Sequence, residues 1–246
     1  AKRAGYQVLG IAGEKADYFY HDVILATRRA FLWAAKQPYV DAKDITYQST
    51  SQGGGFGLYM AALCPQIRKL AVFVPALTDL CGYKARRMSG WPRLIEEQLD
   101  ANREKAAANA GYYDAVNFAA RVRCPTRVTV GFSDDTCPPT AVYSAYNSLR
   151  VADKEIWHGI GMTHLVRSDL YAKGEAWLAE KNSADGTLRT PETSRLFERR
   201  EDPKTGVISY WLRPGLVDFH QQSLYFTAKS MTDDGRFLVF DASPDP

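Results

Sequence analysis

"ITYQSTSQGGGFGLYMAALC", Ile45 to Cys64, joins a short β-branched run to a stretch able to coil into a helix, through a knot of small residues. A strand that turns this abruptly into a helix is the repeating unit of an α/β sheet, so these residues decide the fold. Ser51, at the centre of the knot, fits two roles. A catalytic serine on a strand-to-helix elbow needs small neighbours two residues to either side, because backbone and helix come too close for larger side chains. Those neighbours are Ser49 and Gly53, giving S-x-S-x-G where the first position is usually glycine. Gly54 and Gly55 leave the helix start bare, and amides there can stabilise an oxyanion. The other role is a serine capping a glycine-rich helix. The motif alone does not choose between them.

Outward from the knot, strands and helices alternate. "DVILATRRAFLWAAK", Asp22 to Lys36, has helical apolar spacing, a candidate N-cap at Asp22, and Pro38 just beyond its end. "DITYQ" reads as a strand and Gly54 to Leu63 as a helix. "KLAVFVPAL", Lys69 to Leu77, is an apolar run of the kind buried on both faces of a parallel sheet. From about Tyr83 to Ala120 the rhythm breaks, with "LIEEQLDANREKAAANA" expected as one charged, alanine-rich helix in an excursion between sheet strands. "TRVTVGF", Thr126 to Phe132, returns to strand composition. A helix at 141–149, a strand at 154–157 and a helix near 168–181 follow. The expectation from this alternation is a doubly wound, mainly parallel α/β sheet over 1–182, of the α/β-hydrolase type where Ser51 is an elbow nucleophile.

Beyond it, 183–195 reads as a polar linker with Gly and Pro. Residues 196–246 then read as an all-β segment, with "GVISYWL", "SLYFTA" and "RFLVFDA" as strands and a turn at "DDG", Asp233 to Gly235. Three short strands do not easily bury a core, so a truncated, propeller-like unit is expected. The opening "AKRAGYQVLGIAG" has neither an initiator methionine nor a signal peptide. With an end just past a strand-like run, the chain reads as a fragment at both ends.

Composition narrows the classes. The 246 residues are 46% hydrophobic and 24% charged, with no apolar run of the roughly eighteen residues a membrane span needs. A net charge of +3 provides no dense basic footprint, so nucleic acid is not an expected partner. Cys64, Cys81, Cys124 and Cys137 show neither CxxC nor zinc-ligand spacing, so no metal is expected, and they leave the compartment unread.

An elbow serine needs an imidazole to take its proton and a carboxylate to hold that imidazole, in the chain order Ser, Asp, His. His164, in "HGIGMTH", follows a strand by a short glycine-containing loop and precedes a helix, the place expected of the base. His158 sits closer to the strand end and reads more simply as structural, while His21 and His220 lie elsewhere. "VTVGFSDDTCPP" supplies the acid at the end of the preceding strand. Asp134 is the choice and Asp135 the reserve, although adjacent aspartates also cap turns.

Four stretches together resemble the acetyl xylan esterase and cephalosporin-C deacetylase family of serine esterases. They are "TSQGGG", "YYDAVNFAARVRCP", "VGFSDDTCPPTAVYSAYN" and "GMTH", and the likeness runs from about Gly5 to Leu178. The family pattern has a GxSQGG elbow, a YxDxxNFA stretch, a GLxDxxCPP acid loop followed by AYN, and a GH base. The resemblance implies Ser51 as nucleophile, Asp134 as acid, His164 as base, and the backbone N–H of Gln52 as an oxyanion donor. A second donor would lie upstream of Ala1. It also implies oligomers, and a chemistry that needs no metal or organic cofactor. Ser49 and Thr163 stand where the family has glycines. Tyr83, Trp91, Tyr112 and Tyr113 lie in the excursion that would cap the site, where they could stack on a sugar or simply pack.

"DPKTGVISYWLRPG" and "YFTAKSMTDDGRFLVF" resemble the opening blade of the oligogalacturonate-lyase type of β-propeller, over about Leu196 to Phe240. The resulting expectation is a serine carboxylesterase removing acetyl groups from sugars or oligosaccharides. The rivals are a pectin-fragment lyase or carbohydrate-binding propeller protein with a degenerate hydrolase domain, and an α/β scaffold without chemistry.

Overall fold

The computed structural model describes residues 5–97, 102–180, 197–212, 220–223 and 240–243. The chain divides into two units, Ala1–Ala179 and Glu180–Pro246. In the first, α1 (Phe19–Ala34) precedes β1 (Ile45–Thr50), α2 (Gln52–Leu63) and β2 (Ile67–Phe73). Three helices follow: α3 (Leu94–Glu97), α4 (Arg103–Tyr113) and α5 (Ala115–Ala119). The unit continues through β3 (Thr126–Gly131), α6 (Pro139–Ser148), β4 (Lys154–Gly159) and α7 (Ser168–Ala179).

The four strands form one sheet in the order β1-β2-β3-β4, every pair parallel. Side chains alternate across a strand, and β2 shows what each face meets. Leu70 and Val72 point at Gly57 of α2, whereas Phe73 packs on Gly174 and Tyr171 of α7. Helices α2, α5 and α6 pack in sequence with one another, and α7 lies against β1 and β2. The apolar run expected of a two-faced strand is therefore covered on both sides, with Leu70, Ala71, Val72 and Phe73 essentially without exposure.

Three expectations need correction. First, the strand ends at Phe73 and does not reach Leu77. Val74 and Leu77 adopt positive φ, Pro75 has no N–H to give a ladder, and the Ala76 and Leu77 N–H groups go instead to Ser51 O and Trp91 O. Second, the charged helix is two pieces, α3 and α4, with 98–101 outside the described residues. Third, α1 begins at Phe19, so Asp22 stands in its first turn, where its charge faces the helix dipole, and Tyr18 is the N-cap.

Asp114 ties the excursion to the sheet. One carboxylate oxygen accepts the N–H groups of Asp79 (3.0 Å) and Val116 (2.9 Å), and the other accepts that of Leu80 (2.7 Å). Burial pushes its pKa up to about 6 against the pull of those three donors. A carboxyl whose folded pKa stands above its unfolded value of about 3.9 holds its proton more tightly when folded. The stability this contributes is full below about pH 4 and is lost as pH climbs through 6. Urea unfolding should show wild type losing on the order of 2–3 kcal/mol relative to Asp114→Asn between pH 4 and 7, since the amide cannot ionise. A gap that does not change with pH would mean the carboxyl titrates alike in both states.

In the second unit, β5 (Phe197–Glu201) and β6 (Ile208–Leu212) form an antiparallel hairpin, and β7 (His220–Ser223) pairs antiparallel with β8 (Phe240–Ser243). The hairpin turn is built by Asp202, whose carboxylate accepts the N–H groups of Lys204 and Thr205, and by Gly206 at φ 70°. The linker at 183–195, most of the "SLYFTA" run and the "DDG" turn lie outside the described residues. Among the described residues, no helix is long and apolar enough to cross a membrane.

Candidate active site

Parallel strands present their C-terminal ends along one edge of the sheet, and loops leaving that edge meet there. Ser51 sits at the end of β1, Asp134 just past β3, and His164 past β4. Ser51 has φ 55° and ψ −121°, a conformation that an L-residue holds only when its surroundings impose it. Its N–H donates to Phe73 O (2.9 Å). Its carbonyl accepts from Gly55 N (3.1 Å) and Ala76 N (2.8 Å), so both sides of the turn are fixed. Ser49 stands where the elbow usually has glycine, and its hydroxyl turns back to donate to Gly53 O at 2.7 Å.

His164 stands on the loop after β4. Its Nε2 lies 2.8 Å from Ser51 Oγ and its Nδ1 lies 2.9 Å from Asp134 Oδ2. Asp134 has no side-chain exposure, whereas His164 keeps 33%. The remaining carboxylate oxygen, Oδ1, accepts the N–H groups of Thr136 and Cys137, both at 2.9 Å, which sets the plane of the carboxylate. The histidine loop lies close over β3: Ser133 N donates to Met162 O at 3.0 Å, and a Cβ on Gly131 would stand 2.6 Å from Thr163 O. Only glycine allows that approach. Thr163 itself is exposed with ordinary negative φ, so nothing in its backbone requires the glycine usual there.

The Gln52 N–H opens α2, where no carbonyl of the helix can reach it, and none takes it among the described residues. It adjoins the Ser51 hydroxyl, where an oxyanion would develop. The Gln52 side chain is held by Tyr6, whose hydroxyl donates to Oε1 at 2.8 Å, a contact across 46 residues that no local pattern signals.

The other sequence candidates fall elsewhere. Asp135 is exposed, and Arg93 binds only its backbone carbonyl. His158 bonds through Nε2 to the Tyr143 hydroxyl at 2.8 Å and packs by Phe132. His21 pairs with Asp22 on α1, and His220 belongs to the second unit. Of the excursion's aromatics, Tyr113 is buried with its hydroxyl on Lys15 O, and it is part of the core. Tyr83 and Trp91 are partly buried against that core. Tyr112 is 55% exposed, with the Lys15 ammonium over its ring.

One neighbour was not anticipated. Cys137 is fully buried beside Ser51, and burial, aided by the Asp134 charge, pushes its thiol up to about 12. Asp134, Cys137 and His164 each place one potential ligand atom within 4.8 Å of the others.

The acetyl xylan esterase (AXE1) family model matches residues 1–164, a span that contains Ser51 and Asp134 and ends on His164. Acetyl esterase Axe7A of Xylanibacter ruminicola is 36% identical over 151 residues, which are 61% of this chain and 34% of that protein. Among solved structures, the acetyl xylan esterase from Paenibacillus sp. R4 matches with a TM-score of 0.65 and 26% identity, covering 71% of this chain and 56% of that one. Acetyl xylan esterase 1 from Thermoanaerobacterium sp. JW/SL YS485 shares the fold at a TM-score of 0.63 and 24% identity, covering 72% of this chain and 58% of that one. The chain thus spans about a third of the curated relative and little more than half of the two solved esterases.

Proposed function

The chain belongs to the acetyl xylan esterase family, and from that membership we propose a serine carboxylesterase that removes acetyl groups from sugars or short oligosaccharides through an acyl-enzyme. The observation that carries this reading is the pair of hydrogen bonds from His164, 2.8 Å to Ser51 Oγ and 2.9 Å to Asp134 Oδ2, on an elbow held in strained geometry.

In this mechanism the Asp134 carboxylate accepts Nδ1–H, which leaves Nε2 as the basic nitrogen. As Ser51 Oγ attacks the acetyl carbonyl, its proton passes to Nε2, and the negative charge on the carbonyl oxygen is met by the Gln52 N–H. His164 then returns the proton to the departing sugar oxygen. In the second half a water takes the sugar's place, gives its proton to Nε2 and attacks the acetyl-serine. Acetate leaves and Ser51 recovers its hydrogen. The buried Asp134 does not take up the proton; it stabilises the imidazolium formed in each half.

The test is p-nitrophenyl acetate hydrolysis by the protein at full native length, beside Ser51→Ala, with a fluorophosphonate probe mapped by peptide mass. Turnover and label should both be present in wild type, with the label on Ser51, and both should vanish in the variant. Equal turnover in the two proteins, or a label on another residue, would refute the assignment.

A further inference from the structure

Cys137 stands against the Ser51–His164–Asp134 chain and has no part in the mechanism above. Its backbone N–H helps fix Asp134, but its thiol is buried beside the Ser51 hydroxyl and faces the same carboxylate. The sulfur, a carboxylate oxygen of Asp134 and an imidazole nitrogen of His164 lie within 4.8 Å of one another. A mixed O, N, S set is the donor chemistry of a borderline-soft d10 cation such as Zn²⁺ or Cd²⁺. Zinc bonds of about 2.0–2.2 Å to O and N and about 2.3 Å to S put two ligands of one tetrahedral ion roughly 3.3–3.8 Å apart. The His164 Nδ1 and Asp134 Oδ2 atoms, now 2.9 Å apart, have to open by a few tenths of an ångström, and the carboxylate has to turn its oxygen off the Nδ1 lone-pair axis, which the ion takes. The sulfur has to move inward by about 1 Å or less, within the reach of a χ1 adjustment.

We propose that this cluster is an inhibitory site for a zinc-class divalent cation, bound by His164 Nδ1, Asp134 Oδ2 and Cys137 Sγ with water in the fourth position. The inhibitory consequence rests on the esterase reading, while the binding itself does not. On coordination the Nδ1 proton gives way to the metal and the imidazole carries its hydrogen on Nε2. The Cys137 thiol proton is released to solvent, so one proton leaves per ion bound and no electrons change hands. An imidazole protonated at Nε2 donates to Ser51 Oγ and cannot take its proton. The nucleophile is switched off without any loss of fold, and a chelator restores it.

The D-x-x-C of Asp134 and Cys137 with His164 thirty positions on matches no zinc-ligand spacing. Only the meeting of the β3 and β4 loops makes it a donor set.

The experiment uses the full-length protein, metal-stripped, with p-nitrophenyl acetate turnover read against free Zn²⁺ set by a metal buffer, each protein scaled to its own metal-free rate. Binding is read separately as the sulfur-to-cadmium charge-transfer absorption on adding Cd²⁺. Wild type should lose more than about tenfold of its turnover and recover it with chelator. Cys137→Ala and the near-isosteric Cys137→Ser should need at least about tenfold more zinc for half-inhibition, as expected when a metal loses a ligand. The cadmium absorption should appear in wild type and in Ser51→Ala and be absent from both Cys137 variants. Inhibition of the Cys137 variants at the wild-type zinc concentration, or cadmium absorption indifferent to Cys137, overturns the proposal. If metal-free wild type shows no turnover, the esterase reading fails by itself, and the cadmium signal alone still decides whether the ion is bound.

Discussion

Asp134→Asn should lower kcat for p-nitrophenyl acetate by about 10⁴-fold while leaving KM and the thermal midpoint close to wild type. Asp134 Oδ1 accepts two backbone N–H groups, from Thr136 and Cys137, and Oδ2 faces His164 Nδ1. An asparagine keeps its carbonyl oxygen where those two donors need it, so its NH₂ turns toward His164. The imidazole must then accept at Nδ1 and carry its hydrogen on Nε2, the tautomer that cannot deprotonate Ser51. The side chain stays in place with nearly the same volume, so the loss falls on the chemical step. Asp135→Asn is the control: that side chain is exposed and outside the relay, and its rate should match wild type. A loss of less than about tenfold in Asp134→Asn would remove this carboxylate from the mechanism.

Gly55→Ala should cost about 3 kcal/mol of stability or more. A Cβ at Gly55 would stand 2.4 Å from the carbonyl oxygen of Ala76 and 3.0 Å from Leu77 Cβ. The first of these is backbone, and it cannot swing aside as the end of a flexible side chain can. Pushing 76–77 away also strains the Ala76 N–H bond to Ser51 O, one of the two that the Ser51 carbonyl accepts, and Gly55 N–H makes the other. Urea unfolding should therefore show a lower midpoint, with esterase turnover falling alongside it at temperatures where the variant remains folded. An unchanged midpoint would mean that α2 can slide along the sheet, and that the strain at Ser51 is not imposed by this contact.

The alternation of strand and helix was legible because backbone periodicity and breakers act over a few residues. β1, α2, β3, β4 and α7 each lie within a few positions of the expected place. The misread end of β2 has a non-local cause. "VPAL" has the composition of a strand, but the N–H groups of Ala76 and Leu77 are claimed by Ser51 and Trp91 outside the neighbouring strands' ladders. Tyr113, for which its neighbours in sequence allow either stacking on a sugar or packing, packs its ring on Tyr18 and accepts at its carbonyl from the Tyr59 hydroxyl, which places it in the core.

A parallel α/β unit with a serine at an elbow of small residues was readable from the order of residues, as were carboxylates and imidazoles near later strand ends in the right order. These properties follow from local spacing and from the sheet's polarity, which places all such ends on one edge. The packed fold alone brings Asp134 and not Asp135, and His164 and not His158, into one hydrogen-bonded chain with Ser51, because a hydrogen bond depends on tenths of an ångström and on which way a loop side chain turns. It also decided that Cys137 lies beside Ser51 and that Tyr6 holds Gln52. Neither pairing leaves a trace in spacing, since each arises only when loops distant in sequence are brought together by the packing of the strands that carry them.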